Sequence, residues 1–449
     1  MWRWMWCLVV SGSLAIPQLA AKDRPNIIYL MVDDMGWGDA GCYGQKHIRT
    51  PNIDRLASQG MRFTDVYAGA SVCAPSRCVL MTGKHLGHAR IRGNSAMVGG
   101  VGEERRVPLE VEDVTVAMLL KQTGYATGIT GKWGLAEPGT EGIPNKKGFD
   151  EWFGYLNQQH AHTYYTDYLW KNSERVSLPG NQNGQTGQYS HDLFADFTLD
   201  FVQHHASQPF FLYLAWTLPH GKYVVPSLES YADKDWPHDY KVHAAMITRL
   251  DRDLGRLLDL LDDLKLAEKT LIFFCSDNGG VERREGVLDS VGPFRGKKGE
   301  QAEGGLRVPM IVRWPGKIAA GQVNSRAWYF ADVLPTLCDV ADAELPKDID
   351  GVSILPTLLG QTQPELDARK LYWEQYSGGF EQAARWGAWK ARWKPGKKPF
   401  ELYDLGGDPL ESRNVADEHP DVVAELKRFM EASHHPSPNW LREPLTKAK

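Results

Sequence analysis

The chain has 449 residues, 42% hydrophobic and 24% charged, an ordinary globular composition that excludes wholesale disorder, a collagen-like chain and a disulfide-dense miniprotein. Lys and Arg number 51 against 56 Asp and Glu, a net charge of −5 with no basic block to neutralise a run of phosphates, so nucleic acid is not an expected partner. Sixteen Trp and 17 Tyr are generous, but such rings fill cores and lids more often than they stack on sugars.

Arg3 precedes an apolar run from Trp4 to Ile16, then Ala20-Ala21 and Lys22, the layout of a secretory signal peptide over residues 1–21. The run is short for a membrane span, and no later segment reaches the required length of about 18 apolar residues. An exported chain, periplasmic or extracellular and without stable membrane insertion, is expected. Cys7 leaves with the signal, so Cys42, Cys73, Cys78, Cys275 and Cys338 remain, an odd set with one thiol over.

From Pro25 onward, Asn26–Val32, Ala126–Thr130, Phe210–Trp216, Thr270–Cys275 and Met310–Arg313 are short apolar runs of the buried-strand type. Helical patterns lie between them. Asp113–Gln122 stops at Gly124, and Leu250, Leu254, Leu257, Leu258, Leu261 and Leu264 form a core-facing stripe of period 3.6. This alternation predicts an α/β fold, a large, mainly parallel mixed sheet flanked by helices, in a catalytic domain over 22–360. Tyr164–Ser190, rich in Asn, Gly, Gln and Tyr, reads as a functional loop or lid. Past Pro356–Glu365 the pattern changes to strand-like Lys370–Gln375, Ala388–Trp393 and Phe400–Tyr403 and a helix near Asp421–Ala432, a small C-terminal α+β subdomain over 361–449.

Two of the strands end in acids. Ile27–Val32 runs into Asp33-Asp34, and Leu271–Cys275 into Ser276-Asp277-Asn278-Gly279. Open α/β sheets place their sites at the carboxyl ends of parallel strands. Asp33, Asp34, Asp277 and Asn278 offer only oxygen donors, the set preferred by a hard cation such as Ca²⁺ or Mg²⁺, although either pair alone also serves as capping or turn chemistry. In Ser71–Gly83, Pro75 suits a first helical position and Gly83 a C-terminal stop. The helix between them would aim its free N–H groups at Cys73, an anion-receptive spot beside Arg77.

Cys73-x-Pro-Ser-Arg77 with Thr82-Gly83-Lys84 resembles the signature of the type I, formylglycine-dependent sulfatases of the alkaline phosphatase superfamily. Asp33-Asp34-x-Gly36-Trp37-Gly38-Asp39, Thr50-Pro51-Asn52-Ile53-Asp54, Gly131-Lys132-Trp133, Pro219-His220, Ser276-Asp277-Asn278-Gly279, Lys297-Lys298-Gly299 and Glu303-Gly304-Gly305-x-Arg307-Val308-Pro309 follow in the family's order. The resemblance implies an alkaline-phosphatase-like fold and oxidation of Cys73 to formylglycine by a maturase. The formylglycine hydrate offers one hydroxyl to attack sulfur and a second to let sulfate leave. It implies Ca²⁺, rather than Mg²⁺, on Asp33, Asp34, Asp277 and Asn278, with the modified Cys73 completing the shell. Arg77 would hold the formylglycine, Lys132 and Lys298 the sulfate oxygens, and His220 would protonate the departing sugar oxygen.

One departure stands out. After Gly131-Lys132-Trp133 many relatives carry a His that contacts the formylglycine, whereas this chain has Gly134. His160 or His162 is expected to substitute for it or to bind substrate. The Gly131–Leu135 variant, Asn145–Asp150 and the Tyr-rich Thr163–Trp170 are similar to bacterial sulfatases acting on polysaccharides and host glycans, which implies a sulfated carbohydrate, galactose or N-acetylgalactosamine based. The competing readings are a phosphatase or phosphonate hydrolase on the same scaffold, and a catalytically silent glycan-binding protein.

Overall fold

A computed structural model describes residues 24–442, and the expected signal segment lies outside the described residues. Eleven strands make one sheet. In chain order they are β1 (Asn26–Val32), β2 (Met61–Tyr67), β3 (Ala126–Lys132), β4 (Glu151–Tyr155), β5 (Tyr168–Lys171), β6 (Glu174–Ser177), β7 (Phe210–Ala215), β8 (Thr270–Ser276), β9 (Arg307–Arg313), β10 (Gln322–Asn324) and β11 (Trp328–Tyr329). Their spatial order is 10-2-9-8-1-7-3-4-5-6, with β11 also on β2. The central run β8-β1-β7-β3-β4 is parallel, and antiparallel pairing of β9 and β5 at its two sides makes the sheet mixed. Every residue of β1, β7 and β8 is buried, which is why these strands read as unbroken apolar runs.

Helices cover both faces. On one side α2 (Cys73–Thr82) and α3 (Val116–Gln122) pack on Ile27, Tyr29 and Met31 of β1. On the other, α1 (Pro51–Ser58), α4 (Ser190–His204) and α5 (His238–Asp263) pack on Ile28, Leu30 and Val32, the period-2 alternation of a strand. The leucine stripe of α5 is core from Leu250 to Leu261, but Leu264 caps the helix and is 36% exposed. Helix α3 starts at Val116 rather than Asp113, because the Thr115 hydroxyl accepts the Met118 N–H as N-cap while Asp113 turns back to pair with Arg90. Helix α2 starts at Cys73 itself, with Pro75 third. Proline fits there because first-turn N–H groups lack intrahelical partners. Part of the expected lid, Tyr164–Ser190, is the β5–β6 hairpin. All five cysteines among the described residues are free thiols, and no described helix is long and apolar enough to cross a membrane.

The C-terminal part is a second, antiparallel sheet of β12 (Lys370–Gln375), β13 (Glu381–Trp386), β14 (Trp389–Trp393) and β15 (Glu401–Asp404), packed against the helix Pro420–Ser433. A buried charge network fastens it to the first sheet. The Glu303 carboxylate sits 2.8 Å from Lys390 Nζ and 2.6 Å from an Arg307 nitrogen, and it accepts the Tyr67 hydroxyl at 2.7 Å. Burial works to raise the Glu303 carboxyl, but Lys390, Arg307 and Arg385 hold it well below the usual range. Glu303→Gln would leave Lys390 buried without its paired carboxylate and Arg307 with Asp65 alone. It is expected to lower stability by about 3–5 kcal/mol in urea unfolding, and a loss under about 1 kcal/mol would contradict this account of the joint.

Candidate active site

The strand order 8-1-7-3 sets four carboxyl ends side by side, and each delivers polar side chains. Asp277 and Asn278 follow β8, Asp33 and Asp34 follow β1, His220 lies on the turn after β7, and Lys132 ends β3. The packing there is tight, since a Cβ on Gly131 would sit 2.0 Å from the Ala215 carbonyl oxygen of β7. Asp34 holds a left-handed backbone, φ 68°, rare for a residue with a side chain. Its backbone N–H donates to Asp277 Oδ1 at 3.2 Å and its carboxylate accepts the Asn278 Nδ2 at 2.8 Å, contacts that fix the turn.

Helix α2 brings Cys73 and Arg77 into this cluster. The Cys73 thiol faces Asp33 Oδ1 at 3.4 Å. The fully buried Arg77 guanidinium donates to Asp277 Oδ2 at 2.8 and 3.1 Å and to the Lys132 carbonyl at 2.6 Å. Lys132 Nζ stands 2.7 Å from Asp33, Lys298 Nζ 2.6 Å from Asp34, and His220 Nε2 3.4 Å from Asp34. Lys298 arrives on a loop pinned by the Lys298 N–H to the Gly280 carbonyl and the Gly299 N–H to the Ser71 carbonyl. Ser76 also ties α2 to the β8 end, its hydroxyl donating to the Asp277 carbonyl. Ser76 lies inside the Cys73–Arg77 motif, whose pattern alone gives it no role.

Burial works to raise all three carboxyls. Lys132, then His220, Arg77 and Lys298, nevertheless hold Asp33 well below the usual range, and Lys298 with His220 lowers Asp34. Asp277 goes the other way, to about 6, because burial and the Asp33 charge outweigh Arg77. Burial, with Asp277 and Asp33, pushes the Cys73 thiol up. The Asn278 side-chain oxygen is buried with no protein partner among the described residues. Three converging carboxylates and an orphaned amide oxygen form an all-oxygen donor set that fits a hard divalent cation, and Asp33, Asp34, Cys73 and His220 offer ligand atoms within 4.8 Å of one another.

The two loop histidines part company. His162 stacks on His220, ring centroids 4.5 Å apart at 16°, and burial, helped by His220 and Lys132, lowers it to about 4. His160 faces the other way, its Nε2 2.7 Å from the Thr166 hydroxyl and its ring stacked on Tyr168 at 4.3 Å. Tyr164, unmarked by the sequence beyond its Tyr-rich surroundings, donates its hydroxyl to the His220 carbonyl at 2.7 Å and braces that turn. A second group, His85, His88 and Asp350, lies elsewhere. The Gly87 N–H donates to His85 Nδ1 at 3.1 Å and His88 Nδ1 pairs with Asp350 at 2.8 Å, a hydrogen-bond network at the end of α2.

Acids at strand ends, a buried polar side chain on a helix N-terminus, and a ring of Arg, Lys and His suit metal-assisted hydrolysis of an ester of a tetrahedral oxyanion. Residues 25–343 match the family model Sulfatase, and residues 298–435 match the model N-sulphoglucosamine sulphohydrolase, C-terminal. The chain belongs to the sulfatase family and is a sulfuric ester hydrolase. It is 35% identical to N-acetylgalactosamine-6-sulfatase of Sus scrofa over 92% of this chain and 80% of that one. It is 33% identical to human arylsulfatase A over 92% and 88%. The crystal structure of Ps i-CgsB in complex with k-i-k-neocarrahexaose superposes with a TM-score of 0.81 at 29% identity, covering 94% of this chain and 95% of that one.

With Asp277 near 6, a cation binding above that pH displaces no proton there, whereas below it one must leave. The stabilisation by an added divalent cation, tested with Ca²⁺ and with Mg²⁺ and read as the rise in Tm at fixed ion concentration, is therefore expected to shrink as pH falls from 7.5 to 5. The underlying affinity should drop about tenfold per pH unit below 6. An equal rise at both pH values would contradict the assignment.

Proposed function

We propose that the protein is an exported sulfatase of sulfated carbohydrates, with sulfate esters of galactose or N-acetylgalactosamine as its preferred class. It works through formylglycine made from Cys73 by a formylglycine-generating maturase and through one bound Ca²⁺. The observation that carries this reading is that Cys73, Arg77, Lys132, His220 and Lys298 each meet at least one of the neighbouring buried carboxylates, Asp33, Asp34 and Asp277. The named activities of N-acetylgalactosamine-6-sulfatase and the sugar bound to Ps i-CgsB support the carbohydrate class. The apolar run ahead of Lys22 supports export.

Asp33, Asp34, Asp277 and Asn278 would hold the ion, which supplies charge neutralisation to the incoming sulfate. Formylglycine supplies a hydroxyl nucleophile at position 73. The chain's own side chains do the rest. Arg77, clamped by Asp277 and the Lys132 carbonyl, holds a fixed positive charge near that position. Lys132 and Lys298, now on Asp33 and Asp34, are placed to turn an N–H toward sulfate oxygens. His220 gives its ring proton to the departing sugar oxygen. His162, neutral and stacked on it, takes up the proton released as sulfate leaves and so fills the role left open by Gly134.

The test is free sulfate released from a panel of sulfated galactose and N-acetylgalactosamine sugars by protein whose Cys73 peptide has the converted mass. Release is expected to vanish in Cys73→Ala and to fall about 10²–10⁴-fold in His162→Ala, while His160→Ala changes it only a few-fold. Faster turnover of aryl phosphate than of aryl sulfate would favour the phosphatase reading. Glycan binding without release from any sulfate ester would favour the silent binding protein.

A further inference from the structure

Two buried donors near the Cys73 helix lack a protein acceptor. Arg106 is 9% exposed. Its Nη1 donates to the Asn94 carbonyl and its Nη2 lies 3.8 Å from Glu104, but its Nε has no partner among the described residues. Gln158 is 3% exposed, and its Nε2 is likewise unpartnered. Both belong to one strip of chain. The Leu109 N–H donates to the Leu135 carbonyl at 2.9 Å and the Gly134 N–H to the Leu156 carbonyl at 3.0 Å, so residues 106–109, 134–137 and 156–158 lie side by side.

The strip reaches the site through two contacts. Asn94, whose carbonyl takes Arg106, accepts the Ala74 N–H on its side chain at 3.0 Å, one residue from Cys73. The Gln158 amide occupies the space over Gly134, where a Cβ would sit 2.4 Å from Nε2, two residues from Lys132. Asn157 Nδ2 donates to Glu137 Oε2 at 2.9 Å and fixes that carboxyl on the same strip. Burial raises Glu137 and lowers Arg106, as for charged groups held away from water.

A buried donor without an acceptor costs free energy comparable to a lost hydrogen bond. The two donors call for an acceptor-rich ligand. Glu104 and Glu137 more than offset the Arg106 charge, so the strip has no net cationic character to select an anion. Donors mixed with a carboxylate acceptor suit hydroxyl groups, each of which both accepts and donates.

Resting on the carbohydrate reading above, we infer that Arg106 and Gln158 bind hydroxyl oxygens of the sugar that carries the scissile sulfate, with Glu137 accepting a hydroxyl proton. They are substrate-binding residues outside the sequence motifs, and they select sugars over simpler esters.

The test uses matured enzyme and the ratio of kcat/KM on the best sulfated sugar to kcat/KM on an aryl sulfate that lacks hydroxyls. Arg106→Ala and Gln158→Ala are each expected to lower this ratio about ten- to hundredfold, the cost of one hydrogen bond to a substrate hydroxyl. Binding of the desulfated sugar to Cys73→Ala protein, by calorimetry, should weaken by a similar factor when either change is added, with Tm recorded alongside. Arg106→Gln, which keeps a donor for the Asn94 carbonyl, replaces Arg106→Ala if that variant does not fold. An unchanged ratio with unchanged sugar binding overturns the inference. If unsubstituted enzyme hydrolyses the aryl sulfate but none of the sugars, the carbohydrate reading has failed instead.

Discussion

Three carboxylates forced together in a dry pocket are the constraint around which the rest of the molecule is arranged. Asp33, Asp34 and Asp277 are at most 3% exposed, and the neighbouring placement of β8 and β1 leaves them no way to separate. Like charges at this spacing cannot all stay ionised without compensation. Arg77, Lys132 and Lys298 supply part of it, and each comes from a different element: helix α2, the end of β3, and the loop before β9. Asp277 is left partly uncompensated, and burial with the Asp33 charge pushes it up to about 6. The left-handed Asp34 backbone is held by Asp277 and Asn278 at the end of β8, so Asp277 takes part in both the local strain and the charge balance.

Further contacts tie the second sheet to the segment ahead of Cys73. Trp373 of β12 donates its indole N–H to the Ala68 carbonyl at 2.9 Å, and Gln375 meets the Ser71 hydroxyl at 3.3 Å. Both lie on the segment that leads into Cys73. With Glu303 joining Lys390 to the start of β9, the C-terminal sheet braces the position of Cys73 from behind. From the front, Tyr164 holds the His220 turn and His162 stacks on the His220 ring.

Much of this was legible in the sequence where burial acts on both faces of a strand. β1, β3, β7, β8 and β9 stand out as apolar runs, and their terminal acids could be paired because a parallel sheet places its site at that edge. β2 was not read as a strand, since Arg62, Thr64 and Asp65 interrupt its pattern and a bulge shifts its register between Phe63 and Val66. β6 is wholly exposed and β13 carries two alanines and an arginine, too little apolar character to declare either. His160 and His162 could not be told apart because a single 3₁₀ turn points them in different directions. Arg106 sits in the run Glu103-Glu104-Arg105-Arg106, which looks like solvated surface. Only the alignment of three distant segments buries it.

The most direct test of the account is elemental analysis of purified protein alongside its sulfatase activity, before and after chelation. One Ca²⁺ per chain is predicted, lost together with sulfate release on chelation, regained together on adding Ca²⁺, and never bound by Asn278→Ala combined with Asp33→Ala. Metal-free protein that still releases sulfate at the original rate would contradict the claim that the acid cluster exists to hold a cation.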